Sequence, residues 1–335
     1  MLKAGMIGNG FIGGAHRTSY ERLEKEGADV KLVAICDIRE EKLTEHYGQN
    51  LYTSVDEMLE KEELDIVSVC VPTYLHKEIS IKCMKAGVNV LCEKPMALEY
   101  DDCVEMLNVA KETGTRIMVA HVSRFGRHVA IVKDFIESGK FGKPVTAFFT
   151  SVDGKPTWGY NDWFKDDKLS GGAMLDLQAH NIDLMNWFFG MPEYTSVTAK
   201  KCAEDFNGFG TVLANMVYSD GLIVNSWCDW GVPQNKYTKR LIRINFEKGY
   251  IYDDRMGNVT LVAVDYETGE STDLMELHPE IEPAGYYNEI KYYVNCIANN
   301  LPFDQCPPEE SAKVIKIIRS QERSAKNNGA PDKVV

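Results

Sequence analysis

The sequence predicts two domains in succession. The first, residues 1–121, is an α/β domain on a doubly wound parallel sheet. The second, residues 122–335, is a larger α/β domain whose open sheet is mostly antiparallel. Three observations carry this. Short apolar runs alternate with amphipathic stretches as far as Ala120, the pattern of successive βαβ units. The first apolar run leads directly into Gly8-Asn9-Gly10-Phe11-Ile12-Gly13, a G-x-G-x-x-G turn. From Thr195 onward, strand candidates follow one another across short turns, which calls for antiparallel pairing.

The first domain reads in order as follows. Ala4–Ile7 is a strand, Ala15–Lys25 a helix ended by Gly27, and Val30–Cys36 a second strand closing on Asp37. A short helix is expected over Glu40–Tyr47, and Ser54-Val55-Asp56-Glu57 has the form of a capping box opening a helix to about Glu62. Asp65–Val71 and Val88–Cys92 are buried strands separated by a helix, Leu75–Lys85, with Gly87 past its end. A helix over Tyr100–Thr113 stops at Gly114, and Arg116–Ala120 is the last strand. Ligands of an open parallel sheet bind beyond the carboxyl ends of its strands, and Thr73, His76, Glu93, Lys94 and His121 all fall at such ends.

Strand, glycine turn, helix, second strand and acid together make a Rossmann dinucleotide-binding fingerprint. Gly8 permits the tight turn, Gly10 leaves room for a pyrophosphate, and Gly13 lets helix and strand pack closely. The pyrophosphate then meets the free N–H groups at the start of the helix. Asp37 is placed to accept from a ribose 2′-hydroxyl, which favours NAD, because its carboxylate repels a 2′-phosphate. Arg39, two residues on, can relieve that repulsion, so NADP stays possible.

The second domain opens with a helix, Val129–Ser138, and a strand, Val145–Val152. An aromatic loop with Trp158, Tyr160, Trp163 and Phe164 precedes Gly171-Gly172 and a helix over Ala173–Phe189. Strands follow over Thr195–Lys201, Thr211–Tyr218, Leu222–Trp230, Arg240–Phe246, Tyr250–Asp253 and Val259–Asp265. Two helices, Ala284–Asn299 and Pro308–Asn327, finish the chain. The ligand is expected in a cleft between the domains.

Composition narrows the partners. The 37 basic and 50 acidic residues leave a net charge of −13, a surface that repels phosphate backbones and argues against nucleic acid. No apolar run is long enough to cross a bilayer, and the N-terminus lacks the basic and apolar regions of a secretory leader. The nine cysteines form no C-x-x-C pair, and several lie inside apolar runs, the usage of buried thiols in a reducing compartment. A cytoplasmic protein is expected.

Three ionisable residues stand out. Lys94 follows a strand and precedes Pro95, which restricts its backbone; beside a cationic nicotinamide ring it is a proton-exchange candidate, and otherwise a loop lysine. Asp176 and His180 lie four apart on a helix and share a face, as an acid–base pair requires. Such pairs also occur on solvated surfaces, but this helix is mostly apolar, so a charged face needs a reason. Asp183 is expected to extend that face. A metal held by His121, Asp176, His180 and Asp183 is the rival chemistry; no zinc ligand spacing supports it, and no metal is assigned. Trp158 and Trp163 either line a sugar pocket or pack in the core. His16, His46, His128 and His278 are read as structural.

Taken together, several motifs resemble the glucose–fructose oxidoreductase/inositol dehydrogenase/MocA-like (Gfo/Idh/MocA) family of nicotinamide-dependent oxidoreductases. They are Gly8–Gly13, Asp37, Val71-Pro72-Thr73 with His76, Glu93-Lys94-Pro95, Arg124-Phe125, and the run from Gly171 through Asp176 and His180 to Asp183. They span most of residues 1–190 in the family's order. The resemblance implies a cofactor bound through Gly8, Asn9, Gly10, Phe11, Ile12, Asp37, Arg39, Val71, Pro72, Thr73, His76, Glu93 and Lys94. It implies Lys94 beside the reacting carbinol, His180 as general acid/base and Asp176 as its partner and a substrate contact; His121, Trp158 and Trp163 are expected against the substrate as well. Hydride exchange with a cyclic polyol, sugar or sugar derivative follows by resemblance, as does a homodimer or homotetramer built through the open sheet. Ala173 and Gln178 depart from the family pattern, and Gln178 is expected to alter what the pocket accepts. Two other readings remain: a dinucleotide-binding regulator or sensor, which has no need of Lys94, Asp176 and His180 together, and a reductase of a non-carbohydrate carbonyl such as a dihydrodiol.

Overall fold

The structure is a computed structural model and describes residues 1–43, 48–233, 238–255 and 260–334. The chain groups into two compact units. One comprises Met1–Phe125 with Ala284–Ala312, and the other comprises Gly126–Pro283 with the chain from Lys313 onward. The sequence reading placed a single crossing near 121. The return of 284–312 to the first unit was not read from the sequence, and its cause is apolar packing: Tyr287, Ile290, Tyr293 and Val294 join Met6, Tyr20, Leu32 and Ile35 in one core.

The first unit holds β1 (Leu2–Ile7), α1 (Phe11–Lys25), β2 (Val30–Cys36), β3 (Asn50–Tyr52), α2 (Val55–Lys61), β4 (Ile66–Val69), α3 (His76–Lys85), β5 (Asn89–Glu93), α4 (Tyr100–Thr113) and β6 (Ile117–Ala120). Its six parallel strands lie in the order β3-β2-β1-β4-β5-β6. The strand order reverses between β1 and β4, so the turn after β1 and the segment after β4 flank the switch point where such sheets bind ligands. β4 and β6 are fully buried runs, as a sheet covered on both faces requires. Local chemistry sets the helix ends. Ser54 caps α2 by accepting from the Glu57 N–H, and Gly114 closes α4 in the left-handed region at φ 70°. Of the predicted helix over Glu40–Tyr47, Glu40–Leu43 is a 3-10 turn; residues 44–47, with His46, lie outside the described residues. The three-residue strand β3 was not read from the sequence because it is too short to show a period.

The second unit holds α5 (Arg127–Ser138), β7 (Pro144–Val152), α6 (Asp167–Ser170), α7 (Gln178–Phe189), β8 (Tyr194–Lys200), β9 (Thr211–Val217), β10 (Ile223–Asp229), β11 (Lys239–Phe246), β12 (Gly249–Asp254), β13 (Thr260–Asp265), β14 (Ser271–Asp273) and α8 (Leu274–Leu277). Helix α9 (Gly285–Ala298) belongs to the first unit, while α10 (Pro308–Lys326) and β15 (Asp332–Lys333) complete the chain. Nine strands form one sheet in the order β14-β13-β12-β11-β7-β10-β9-β8-β15, antiparallel throughout except where β10 runs parallel to β7. Period-two alternation divides its faces. In β9, Val212, Ala214 and Met216 are buried, while Leu213 and Val217 are exposed. Phe148, Ile223 and Trp227 are likewise exposed, giving an apolar row on the open side. The predicted start of β13 at Val259 lies outside the described residues.

Candidate active site

The glycine turn is closed by backbone contact. Gly8 has φ +92°, and a Cβ on it would lie 2.4 Å from the Cys70 carbonyl oxygen after β4. A Cβ on Gly13 would lie 2.0 Å from the carbonyl oxygen of Gly8. Only glycine meets both demands. Helix α1 begins after Gly10 with no side-chain cap and no acidic residue in its first turn. Its N–H groups and positive dipole end are thus left for an anion.

At the end of β2, Asp37 is buried and heavily bonded. The Asn9 N–H donates to Oδ2 at 2.8 Å, the Arg39 N–H to Oδ1 at 2.9 Å, and the Arg39 guanidinium reaches both oxygens at 2.9 and 2.8 Å. Burial alone would raise this carboxyl, but the bonds from Arg39 and Asn9 hold it below its usual range. The expected pair of Asp37 and Arg39 is therefore joined, and the negative charge that would face a 2′-phosphate is partly neutralised.

The segments after β4 and β5 are tied to each other. His76 is buried, with Nδ1 2.8 Å from the Pro95 carbonyl and Nε2 2.9 Å from that of Val71. Burial keeps its pKa low, so the neutral ring donates to one of the two carbonyls. Thr73 is buried beside it, and Val71 and Pro72 are half-buried. Glu93 accepts from the Lys94 N–H at 3.0 Å and lies 3.0 Å from His16 Nε2. From Val90 to Ala97 every residue is buried except Lys94. His121, at the end of β6, is buried.

In the second unit the geometry repeats that pattern. Gly171 and Gly172 both have positive φ, +67° and +64°. A Cβ on Gly172 would stand 2.8 Å from the Phe209 carbonyl oxygen. The helix then starts with one wide turn, Ala173–Leu177, in which the Gln178 N–H reaches the Ala173 carbonyl five residues back. Wide turns of this kind recur at functional sites. From Gly172 to Asn186 every residue is buried except Asp176 and His180, which share the one open face. The other flanks are anchored. Asn181 accepts from Ser151 Oγ at 2.7 Å and donates to Ser226 Oγ at 3.2 Å.

Three sequence expectations change here. Gln178 is fully buried and donates to Gln321 on α10 at 2.6 Å, so it braces the helix and does not shape a pocket. Asp183 is fully buried and does not extend the face of Asp176 and His180. Trp163 is buried and stacked on Phe164 at 3.9 Å, a packing residue, whereas Trp158 is half exposed and meets Phe164 edge-on. Among the described residues, no three His, Cys, Asp or Glu side chains are grouped to hold a metal ion. His16, read from the sequence as structural, is fully buried beside Ser68 and Glu93.

Comparison with known proteins places the chain. The profile of the oxidoreductase family with NAD-binding Rossmann fold matches residues 2–121, and that of the GFO/IDH/MocA C-terminal domain matches residues 129–252. An uncharacterised oxidoreductase of Streptococcus pneumoniae is 30% identical over 256 residues, covering 75% of this chain and 68% of that one. The chain belongs to the GFO/IDH/MocA family. It is a nicotinamide-dependent dehydrogenase with NAD as cofactor, and its glycine turn, uncapped α1 and Asp37 fit that cofactor. Another family member, the myo-inositol 2-dehydrogenase of Thermotoga maritima, is 27% identical over 316 residues, 90% of each chain. Among solved structures, a levoglucosan dehydrogenase in complex with NADH shares the family fold at TM-score 0.87 with 19% identity, covering 100% of this chain and 99% of that one.

Proposed function

We propose that the protein oxidises a secondary hydroxyl of a cyclic polyol, sugar or sugar derivative to the ketone, and catalyses the reverse reduction, with Lys94, Asp176 and His180 as its catalytic group. The observation that carries this reading is the burial pattern. In two otherwise buried stretches, Val90–Ala97 and Gly172–Asn186, the only partly open side chains are these three ionisable ones. A structural protein has no reason to expose just these. The inositol dehydrogenases of Thermotoga maritima and Rhizobium meliloti and the D-glucoside 3-dehydrogenase of Escherichia coli support the substrate class.

The bound cofactor would supply a hydride acceptor for the carbinol carbon. Gly8, Gly10 and the first turn of α1 would hold its phosphates, and Asp37 its adenosine ribose. His180 takes the hydroxyl proton as general base and returns it in reduction. Asp176 orients the imidazole and supports its charged form. Lys94 holds the reacting oxygen and shares its proton. NAD is preferred over NADP on the strength of Asp37, with Arg39 softening the preference. Nine unpaired thiols accord with a reducing, cytoplasmic setting. The apolar row of Phe148, Leu213, Ile223 and Trp227 supports a homodimer or homotetramer built on the open sheet face.

The test is NADH formation by wild type and Lys94→Met across inositols, aldoses, amino sugars and uronic acids. Activity on one group, lost in the variant, is the expected result. Activity that survives Lys94→Met, or silence across the panel with NAD bound, overturns the reading.

A further inference from the structure

His16 lies three residues beyond the last fingerprint glycine, and its side chain is fully buried. Its Nε2 is 3.0 Å from Glu93 Oε1, and its Nδ1 is 3.1 Å from Ser68 Oγ on β4. Tyr20, one turn further along α1, places its hydroxyl 3.1 Å from the same Ser68 oxygen. The second Glu93 oxygen, Oε2, accepts from the backbone N–H of Lys94.

Chemistry fixes the direction of this chain. A carboxylate only accepts, so His16 Nε2 is the donor to Glu93. Burial holds the Tyr20 phenol far above its ordinary value, so it stays protonated and donates. One order then satisfies every group: Tyr20 O–H to Ser68, Ser68 O–H to His16 Nδ1, and Nε2–H to Glu93, which also receives the Lys94 N–H. Burial would raise the Glu93 carboxyl, but the bond from His16 and the positive charge of Lys94 keep it below its usual value. Folding alone does not ask for such a network, because well-packed apolar side chains in its place are often as stable. Its terminus, the backbone of Lys94, gives it a purpose.

We infer that His16 is a positioning residue: through Glu93 it fixes the backbone of Lys94, and so links the helix of the glycine fingerprint to the lysine. The inference rests on the proposed catalytic part of Lys94. It identifies the buried histidine of α1 as part of the machinery without contact to the reacting atoms.

Two amides separate the arms of the imidazole. His16→Gln carries its amide nitrogen to the place of Nε2 and keeps the bond to Glu93. His16→Asn reaches only to the place of Nδ1, where its carbonyl oxygen accepts from Ser68, and it abandons Glu93. The first readout is hydrogen exchange at the Lys94 amide, followed by NMR on lysine-labelled protein. Exchange in His16→Asn is expected to rise about tenfold, the worth of one hydrogen bond, and to stay near wild type in His16→Gln. The second readout is turnover on the panel compound that wild type oxidises fastest. There His16→Asn loses about 10–100-fold in kcat, with the NADH dissociation constant unchanged, while His16→Gln stays close to wild type. Equal behaviour of Asn and Gln in exchange overturns the inference, since a purely structural histidine would suffer alike from both. Should His16→Asn fail to fold, Glu93→Ala serves. With both acceptor oxygens gone, the Lys94 amide must exchange faster; unchanged exchange overturns the inference. Lys94→Met separates the two ideas. Full turnover in that variant removes the catalytic part of Lys94, whereas loss of turnover alongside indifferent His16 variants removes only the positioning role.

Discussion

Adjacent glycines in α1 give a paired experiment on the cofactor turn. Gly13 and Gly14 both sit in the first turns of the helix, and alanine at either gains the same helix propensity, up to about 1 kcal/mol. They differ in what a methyl group meets. At Gly14 there is nothing within 4 Å, whereas at Gly13 the Cβ would stand 2.0 Å from the Gly8 carbonyl oxygen and 3.0 Å from its carbon. Those are backbone atoms and cannot rotate away. The helical gain is common to both variants and cancels, so their difference is the clash itself, about 1–3 kcal/mol on the scale of overpacking. Gly14→Ala should therefore be more stable than wild type by about 0.5–1 kcal/mol, and Gly13→Ala less stable than Gly14→Ala by about 1–3 kcal/mol. Urea midpoints at constant slope measure this. Relief of the clash moves the Gly8 carbonyl, so NADH affinity, read by fluorescence titration, should fall about tenfold or more in Gly13→Ala and hold in Gly14→Ala, a loss of about 1.4 kcal/mol. Equal stability and equal affinity in the two variants would refute the close approach on which the cofactor turn is argued.

Further outcomes follow from the same structure. Asp37→Ser should weaken NADH about tenfold and improve NADPH relative to it, because the bonded carboxylate is lost while Arg39 remains; unchanged cofactor preference by titration would sink the assignment. The Glu93 carboxyl is held below its ordinary 4.5, so its contribution is complete above that value and is lost as pH falls through the lowered one. Urea midpoints should drop on acidification below about pH 4.5, with a shallower drop in Glu93→Gln. Trp227→Lys, placed on the exposed apolar row of the sheet, should shift the sedimenting species toward monomer without unfolding it; an unchanged species argues against that face.

Much of this arrangement was legible because its causes are local. The apolar run, glycine spacing and Asp37 announce the dinucleotide turn, and Asp176 and His180 announce themselves by being charged on an apolar helix. The return of 284–312 to the first core was not legible, because Tyr287 and Tyr293 read as an amphipathic helix whatever core they enter. Gln178 misled because an alignment-like departure near a site invites a site explanation, when its partner, Gln321, lies 143 residues on. His16 showed no partner in the sequence for the same reason: Ser68 and Glu93, beside which it lies, are 52 and 77 residues away.

Deuterium on the carbinol carbon decides most directly whether the protein carries out the proposed reaction. Wild type supplied with NAD and the labelled form of its best panel substrate should return deuterated cofactor. Lys94→Met and His180→Ala should each slow that transfer about 10²–10⁴-fold while still binding NADH. Reduced cofactor without the label, or transfer at the wild-type rate in either variant, would contradict the dehydrogenase reaction or the residue assigned to it.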